Sequence, residues 1–337
     1  MKLFPLLIFC ISLGVWANVP DSEVVETAKT AEGKTLVENN KVWYGKGYDQ
    51  DAYEALKSQI GWVYPIYSRV QHSKKIEGTQ DGYDIFYDIN ALGQRVYEVA
   101  APKKKHLILA GDSNTFGLGL PNEETLPALF TKSWTDYHAY NFGHGGGAPH
   151  NTLSLMENFP WNKEIQESEG QFIYIFYPNW MSMRVIGTKS YLTWDRGGSP
   201  WYALDKGKLV RKGSFNDRLL THILRFLSFI DVFNWIGDLP KLKPSDMDLV
   251  AKILVKMNNE YLTKFPKGKF TVVISNYHEA KHDYAKELDR LLKLYKIDTV
   301  FIHSNHPESP RYHLVDHHFN FEGQKMTAQD LMGVLKP

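Results

Sequence analysis

Five short apolar runs, separated by helical patterns, constrain this chain more than any other feature. They are His106–Ala110, Tyr137–Phe142, Gln171–Tyr177, Lys269–Ile274 and Thr299–Ile302. The third, Gln171-Phe172-Ile173-Tyr174-Ile175-Phe176-Tyr177, is apolar nearly throughout. Runs of this kind, without alternation, belong to strands buried on both faces of a parallel sheet. Helical patterns lie between or after them over Thr125–Trp134, Asp283–Tyr295 and Phe321–Leu335. In the second of these, Leu288, Leu291, Leu292 and Tyr295 form one stripe. Strands alternating with helices predict an α/β fold with a central parallel sheet of about five strands. At 337 residues the chain is long enough for one large domain or a domain with additions. A hydrophobic content of 43% and a charged content of 23% suit a globular protein, and the formal net charge of +1 argues against a general nucleic-acid binder. The run Lys103–Lys105 reads as a solvated loop.

The first 17 residues differ in character. Lys2 is followed by an apolar stretch from Leu3 to Val15, and Val15-Trp16-Ala17 offers small residues at cleavage-facing positions. This predicts a signal peptide over 1–17, an exported protein in a periplasm or outside the cell, and no stable membrane span after cleavage. Cys10 is the single cysteine. The exported chain would then have neither disulfides nor a cysteine nucleophile. Residues 18–50 are polar and mixed and read as partly irregular. Residues 51–60 suggest a short helix, and Tyr83–Ile89 a strand closed by a turn at Asn90–Gly93. Together, residues 18–100 read as an N-terminal extension to a main domain over 101–337.

Residues 181–265 exceed one crossover. Strand-like pieces occur at Tyr191–Trp194 and Trp201–Leu204. A helical stretch built on Leu219, Leu220, Ile223, Leu224, Leu227 and Ile230 follows, and then another on Leu249, Ile253, Met257 and Tyr261. An insertion at about 181–243, followed by the crossover helix, accounts for this length.

Two places carry chemistry. Residues 107–119 read LILAGDSNTFGLG, which sets Ser113 just past the end of the first strand. In an open parallel sheet, ligands gather at that edge. Two readings are open for this position: Asp112 or Ser113 caps a helix, or Ser113 is a nucleophile. Near the other end, Asp316-His317-His318 precedes the last helix. There His318 could take the Ser113 proton while Asp316 holds the imidazole. An isolated Asp-His-His also fits a solvated loop or metal ligation, and no third metal ligand stands at a fixed spacing.

These blocks resemble the SGNH (GDSL-type) hydrolase superfamily, in a form similar to exported bacterial members. The resemblance covers roughly residues 106–180 and 269–335. It implies a three-layer α/β/α flavodoxin-like fold and a serine esterase mechanism needing no cofactor and no metal. It also implies a role for each matching residue. Ser113 fits the nucleophile, and Asp316 and His318 fit the acid and base. The oxyanion hole would comprise Ser113, Gly146 and Asn179. Gly146 belongs to Asn141-Phe142-Gly143-His144-Gly145-Gly146, where Gly143 would make the turn. Asn179 stands in Tyr177-Pro178-Asn179-Trp180, a departure from the usual Gly-x-Asn-Asp. Four blocks in order, each at the end of a predicted strand or before the last helix, favour the nucleophile reading of Ser113 over the cap.

The family acts on carboxylic esters. Export and an aromatic content of 14% point toward a carbohydrate O-acetyl esterase with an acetylated glycan as partner. Trp180 and Arg184 are candidate substrate-binding residues, and Trp194, Trp201 and Tyr202 are further rings able to stack on sugars. His144, His150, His278, His303 and His306 lie near strand ends without an assigned role. Polysaccharide or peptidoglycan O-acyltransfer, a lipase- or lysophospholipase-like esterase, and a non-catalytic glycan-binding module are the alternatives.

Overall fold

The computed structural model describes residues 21–29, 33–97, 101–228, 238–275, 284–302 and 309–337. The predicted signal peptide with Cys10, and His278, His303 and His306, lie outside these residues.

A five-stranded parallel sheet forms the centre. Its strands are β5 (Lys105–Gly111), β6 (Tyr137–Gly143), β7 (Gly170–Phe176), β10 (Lys269–Ser275) and β11 (Asp298–Ile302), in the spatial order β11-β10-β7-β5-β6. Counted along the chain, this is the flavodoxin-like order 2-1-3-4-5. All five predicted runs became strands within about two residues of their expected bounds. From Phe172 to Phe176 each side chain is fully buried. Burial of such side chains stabilises by about 1.5–3 kcal/mol each, which is why the run is continuous instead of alternating.

Helices cover both faces. On one, α3 (Leu126–Ser133) packs against α10 (Phe321–Val334). On the other, α8 (Met247–Lys264) lies between α4 (Pro149–Asn158) and α9 (Tyr284–Leu294). The last layer buries Val250, Leu254, Met257 and Tyr261 of α8 and Leu288 and Leu292 of α9 against the sheet. Two shorter helices matter for the site: α2 (Ser113–Phe116) follows β5, and α5 (Pro178–Ile186) follows β7. The proline at the head of α5 has no N–H to lose in the first turn.

The N-terminal region differs from expectation. Residues 18–50 read as partly irregular, yet β1 (Ser22–Lys29) and β2 (Thr35–Tyr44) are regular strands. With β3 (Ser68–Ile76) and β4 (Gly82–Ile89) they form an antiparallel sheet in sequence order. Most of β1 is exposed, so no apolar alternation marks it, and backbone pairing from Ser22↔Val42 to Lys29↔Thr35 holds it. The inner face packs Val70, Tyr83, Tyr87 and Ile89 on Phe116 and Leu118, the segment that follows Ser113. The predicted helix at 51–60 is α1 (Gln50–Ile60), capped by the Asp49 side chain on Ala52 N–H. Its Leu56 and Ile60 join the main core.

The second difference lies in the insertion. Tyr191–Trp194 read as strand-like, but α6 (Lys189–Trp194) is helical. Tyr191 and Leu192 bury against Phe215 and Leu224, and this packing overrides the β-preference of the sequence. The expected strand at Trp201–Leu204 is present as β8 (Pro200–Asp205), hairpinned to β9 (Lys208–Ser214). The helix α7 (Leu219–Ser228) follows. Among the described residues no helix is long and apolar enough to cross a membrane.

Candidate active site

Ser113 opens α2 at the carboxyl end of β5, between β7 and β6, where the strand order reverses. The cap reading holds for Asp112 rather than for Ser113. Asp112 is the cap: its Oδ1 accepts the Asn114 N–H at 2.9 Å. That leaves Ser113 in the first turn, where helix N–H groups have no intrahelical partner. Oδ2 of Asp112 accepts the Trp180 indole N–H at 3.1 Å, tying this turn to α5. Ser113 itself is buried.

The hydroxyl meets a histidine from the far end of the chain. His318 Nε2 lies 2.9 Å from Ser113 Oγ. His318 Nδ1 lies 3.0 Å from Asp316 Oδ2, an ion-pair distance set off the line of a straight N–H···O bond. The turn carrying both is tight. Leu314 N–H donates to the His318 carbonyl at 2.7 Å, and His317 between the pair has φ +66°, a left-handed conformation uncommon for a side-chain-bearing residue. Local backbone strain of this kind persists where surrounding contacts over-determine it. Here the contacts come from Asn114: its Oδ1 accepts the Phe319 N–H at 3.1 Å, and its carbonyl accepts Gln324 Nε2–H at 2.6 Å. Asn114 thus splices the serine turn to the histidine turn. Its place directly after Gly-Asp-Ser was the available signal, and sequence reasoning gave it no role.

Asp316 is almost fully buried. Burial works against its charge, but the His318 contact, the Lys74 ammonium and the Tyr83 hydroxyl outweigh that and hold its carboxyl far below the usual carboxylate range. The last two belong to the N-terminal sheet. Tyr83 O–H donates to Asp316 Oδ2 at 3.0 Å, and Lys74 Nζ lies 3.2 Å from the same oxygen. Sequence reasoning missed both. The signal was the inward phase of β3, where Val70, His72 and Lys74 succeed one another at period two.

The second and third blocks stand at the same edge. Gly143 ends β6 next to α2: a Cβ there would come within 2.1 Å of Phe116 N. Close approach, not turn formation, therefore explains this glycine. The turn falls to Gly146, with φ +66°. Asn179 is exposed on the first turn of α5, at the end of β7.

A cleft of about 320 Å³ opens beside Gly146, lined by Trp180, Arg184, Thr188, Tyr191 and Trp194 among others. Both predicted substrate-binding residues therefore line one cleft. Arg184 is anchored by donating to the Gly147 carbonyl at 2.8 Å, and Trp180 stacks on Tyr177 with ring centroids 4.5 Å apart. Trp194 lies over Gly146, where a Cβ would meet its ring at 1.9 Å, and is 55% exposed. Trp62, which sequence reasoning passed over, packs on Gly145 and is 39% exposed. Tyr202 does not reach the cleft: it is buried and donates to Glu157 Oε2. Trp201 stands apart too, 5.8 Å from the Arg218 guanidinium. Burial and the nearby Arg184 lower the pKa of His144 to about 4, and burial with His144 and Arg184 lowers that of His150 to about 3. Neither histidine contacts Ser113. Among the described residues no group of three or more His, Cys, Asp or Glu side chains could hold a metal ion.

No family model matches this chain, and no curated protein does. Solved structures do. A member of the lipolytic G-D-S-L family from Veillonella parvula is 15% identical, with a TM-score of 0.39 over 68% of this chain and 98% of its own. An acetyl xylan esterase from the rumen bacterium Butyrivibrio proteoclasticus is 10% identical, with a TM-score of 0.41 over 78% of this chain and 72% of its own. A carbohydrate esterase, described as having an active site with divergent catalytic and non-catalytic binding functions, is 12% identical, with a TM-score of 0.41 over 93% and 97%.

Proposed function

We propose that this chain is an exported serine esterase that releases acetyl groups from carbohydrate. The observation that carries the reading is the contiguous line Asp316–His318–Ser113, with contacts of 3.0 and 2.9 Å. His318 Nε2 takes the Ser113 proton as Oγ attacks the ester carbonyl. The tetrahedral oxyanion is met by the N–H groups of Ser113 and Gly146 and the Asn179 amide, and each such donor contributes about 3 kcal/mol to barrier lowering. Collapse expels the alcohol, to which His318 returns the proton, and leaves an acyl-Ser113 ester that water hydrolyses. Asp316, kept ionised by its surroundings, stabilises the imidazolium that forms in both steps.

The exposed indoles of Trp62 against Gly145 and Trp194 against Gly146 support a sugar as the alcohol part, since flat rings stack on the apolar faces of pyranoses. The lysine and apolar stretch of residues 2–15, with the pattern of a leader, support export. The test is hydrolysis of 4-nitrophenyl esters of increasing chain length, alongside acetate release from acetylated oligosaccharides, by the parent and Ser113→Ala. Preference for acetate, glycan deacetylation and loss of both in the variant are expected. Turnover rising with acyl length would overturn the glycan reading in favour of a lipid ester. Acetyl transfer to an added sugar in place of hydrolysis would make the chain an acyltransferase.

A further inference from the structure

We propose that Lys74 and Tyr83 are positioning residues for Asp316, so that the N-terminal sheet completes the reacting centre; the inference rests on the serine-esterase reading. The two residues are direct cross-strand partners on β3 and β4, and Glu38 on β2 is the partner of Lys74 on its other side. Three neighbouring strands thus present one row: Glu38, Lys74, Tyr83. Lys74 Nζ lies 2.7 Å from Glu38 Oε2 and 3.2 Å from Asp316 Oδ2, and Tyr83 donates to that same Oδ2. Glu38 in turn sits 3.0 Å from His72 Nε2, His72 Nδ1 lies 3.1 Å from the Tyr87 hydroxyl, and that oxygen accepts the Gly119 N–H at 2.7 Å. A neutral imidazole satisfies both of its contacts with the proton on Nε2. The row therefore runs from the acid of the triad back to the loop that follows Ser113.

Cohesion of the sheet does not account for this row. Apolar contacts of Val70, Tyr87 and Ile89 with Phe116 and Leu118 already join the two regions. Taking a lysine and two carboxylates out of water costs free energy that their attraction only partly returns. Lys74 is 13% exposed and Asp316 5%, so solvent screens the pair little. What the ions supply is direction. Two donors from the rigid sheet converge on Oδ2 of Asp316 and hold that oxygen 3.0 Å from Nδ1 of His318. Glu38 shares the Lys74 ammonium, so Lys74 orients Asp316 while offsetting only part of the charge that His318 needs when it becomes cationic. Around Asp316, the titratable groups are His318 on its own turn, Lys74 on β3, Tyr83 and Tyr87 on β4, Glu38 on β2 and Tyr64 before β3.

The experiment is the pH profile of kcat and KM for 4-nitrophenyl acetate with the full chain, in the parent, Lys74→Met, Lys74→Arg and Tyr83→Phe, with thermal melts in parallel. Lys74→Met is expected to lower kcat about tenfold with KM unchanged. It also leaves Asp316 more negative toward the imidazole, which favours the protonated base. The acidic limb of kcat/KM therefore moves up by roughly half to one pH unit. Lys74→Arg restores the limb, and Tyr83→Phe shifts it the same way by less. A folded Lys74→Met with the parent's kcat and limb would overturn the inference. If Lys74→Met does not fold, Tyr83→Phe decides, because it removes one hydroxyl and keeps the ring: parent values overturn the inference, and a lower kcat with a raised limb supports it. Labelling of Ser113 by a fluorophosphonate separates this inference from the reading it rests on. A parent neither hydrolysing nor labelled overturns both. A labelled, active parent with an inert Ser113→Ala and an indifferent Lys74→Met overturns the positioning role alone.

Discussion

The parallel sheet and the N-terminal antiparallel sheet meet at Ser113 but are built on opposite rules. In the first, β5, β7 and β10 bury every residue after the first. Side chains there fill a core, and the polar turn at Ser113 is left to a strand end. In the second, one face is wet and one is inward, and the inward face of β3 passes from Val70 to His72 to Lys74. Its ionisable groups lie along the strand itself. A body of continuous apolar strands tolerates little change in volume and holds function at its rim. A half-wet sheet can carry ions inward where they pair.

The rim should respond most strongly. Ser113→Ala, or His318→Ala, should lower kcat by about 10⁴–10⁶-fold with melting near the parent's. Loss of folding along with activity would instead make these residues structural. The body is tested next. Gly143→Ala puts a methyl within 2.1 Å of the Phe116 backbone nitrogen, and a main-chain atom cannot rotate away. Overpacking should cost about 1–3 kcal/mol in denaturant unfolding and shift α2, and Ser113 with it. A variant as stable and active as the parent would show that this end of the sheet is not close-packed.

The same contrast decides what could be read from the sequence. The five buried strands were legible because a fully apolar run of that length has few other uses, the serine block because it sits at a run end, and the histidine block because it stands just before the last helix. The α6 helix was misread because Tyr, Thr and Trp favour strands when taken alone, and the packing on Phe215 and Leu224, more than twenty residues on, overrides that preference. Strand β1 was illegible because backbone pairing, which side chains do not record, holds it. Lys74 and Tyr83 were illegible for another reason. An inward lysine at period two looks like an outward one until the register of β3 against β4 is known, and then it falls opposite Tyr83. Gly143 and Gly146 were legible as a pair, but the turn expected at Gly143 falls at Gly146, which has the positive φ, while the packing of α2 needs the bare backbone of Gly143.

Acid should weaken the N-terminal sheet more than the body. Burial opposes the charge of Glu38, but His72 and Lys74 more than offset it and hold its pKa at about 2, against an ordinary 4.5. A carboxyl lowered in the folded state contributes stability above its unfolded pKa and loses it as pH falls through the folded one. The loss therefore falls between about pH 4.5 and about pH 2. Discounted for partial exposure, it should amount to about 1 kcal/mol. Glu38→Gln removes the titration, so its unfolding midpoint should change less than the parent's between pH 5 and pH 3. Equal slopes would mean that the row contributes nothing to holding the sheet in place.

The mildest change discriminates best, because it concerns a side chain on the surface of the insertion. Trp194 covers Gly146 with half its ring in solvent. Were it a wall of the Gly146 turn, Trp194→Ala would loosen Gly146 and lower kcat on every ester. Were it a platform for the alcohol part, a small aryl acetate would hardly notice. The backbone at Gly146 is already fixed by its left-handed turn and by Arg184 on the adjoining Gly147 carbonyl. Hydrolysis of 4-nitrophenyl acetate should accordingly stay within about threefold of the parent, while KM for an acetylated oligosaccharide rises about tenfold, the loss of one stacking contact worth roughly 1.4 kcal/mol. An equal loss on both substrates would make the indole part of the turn.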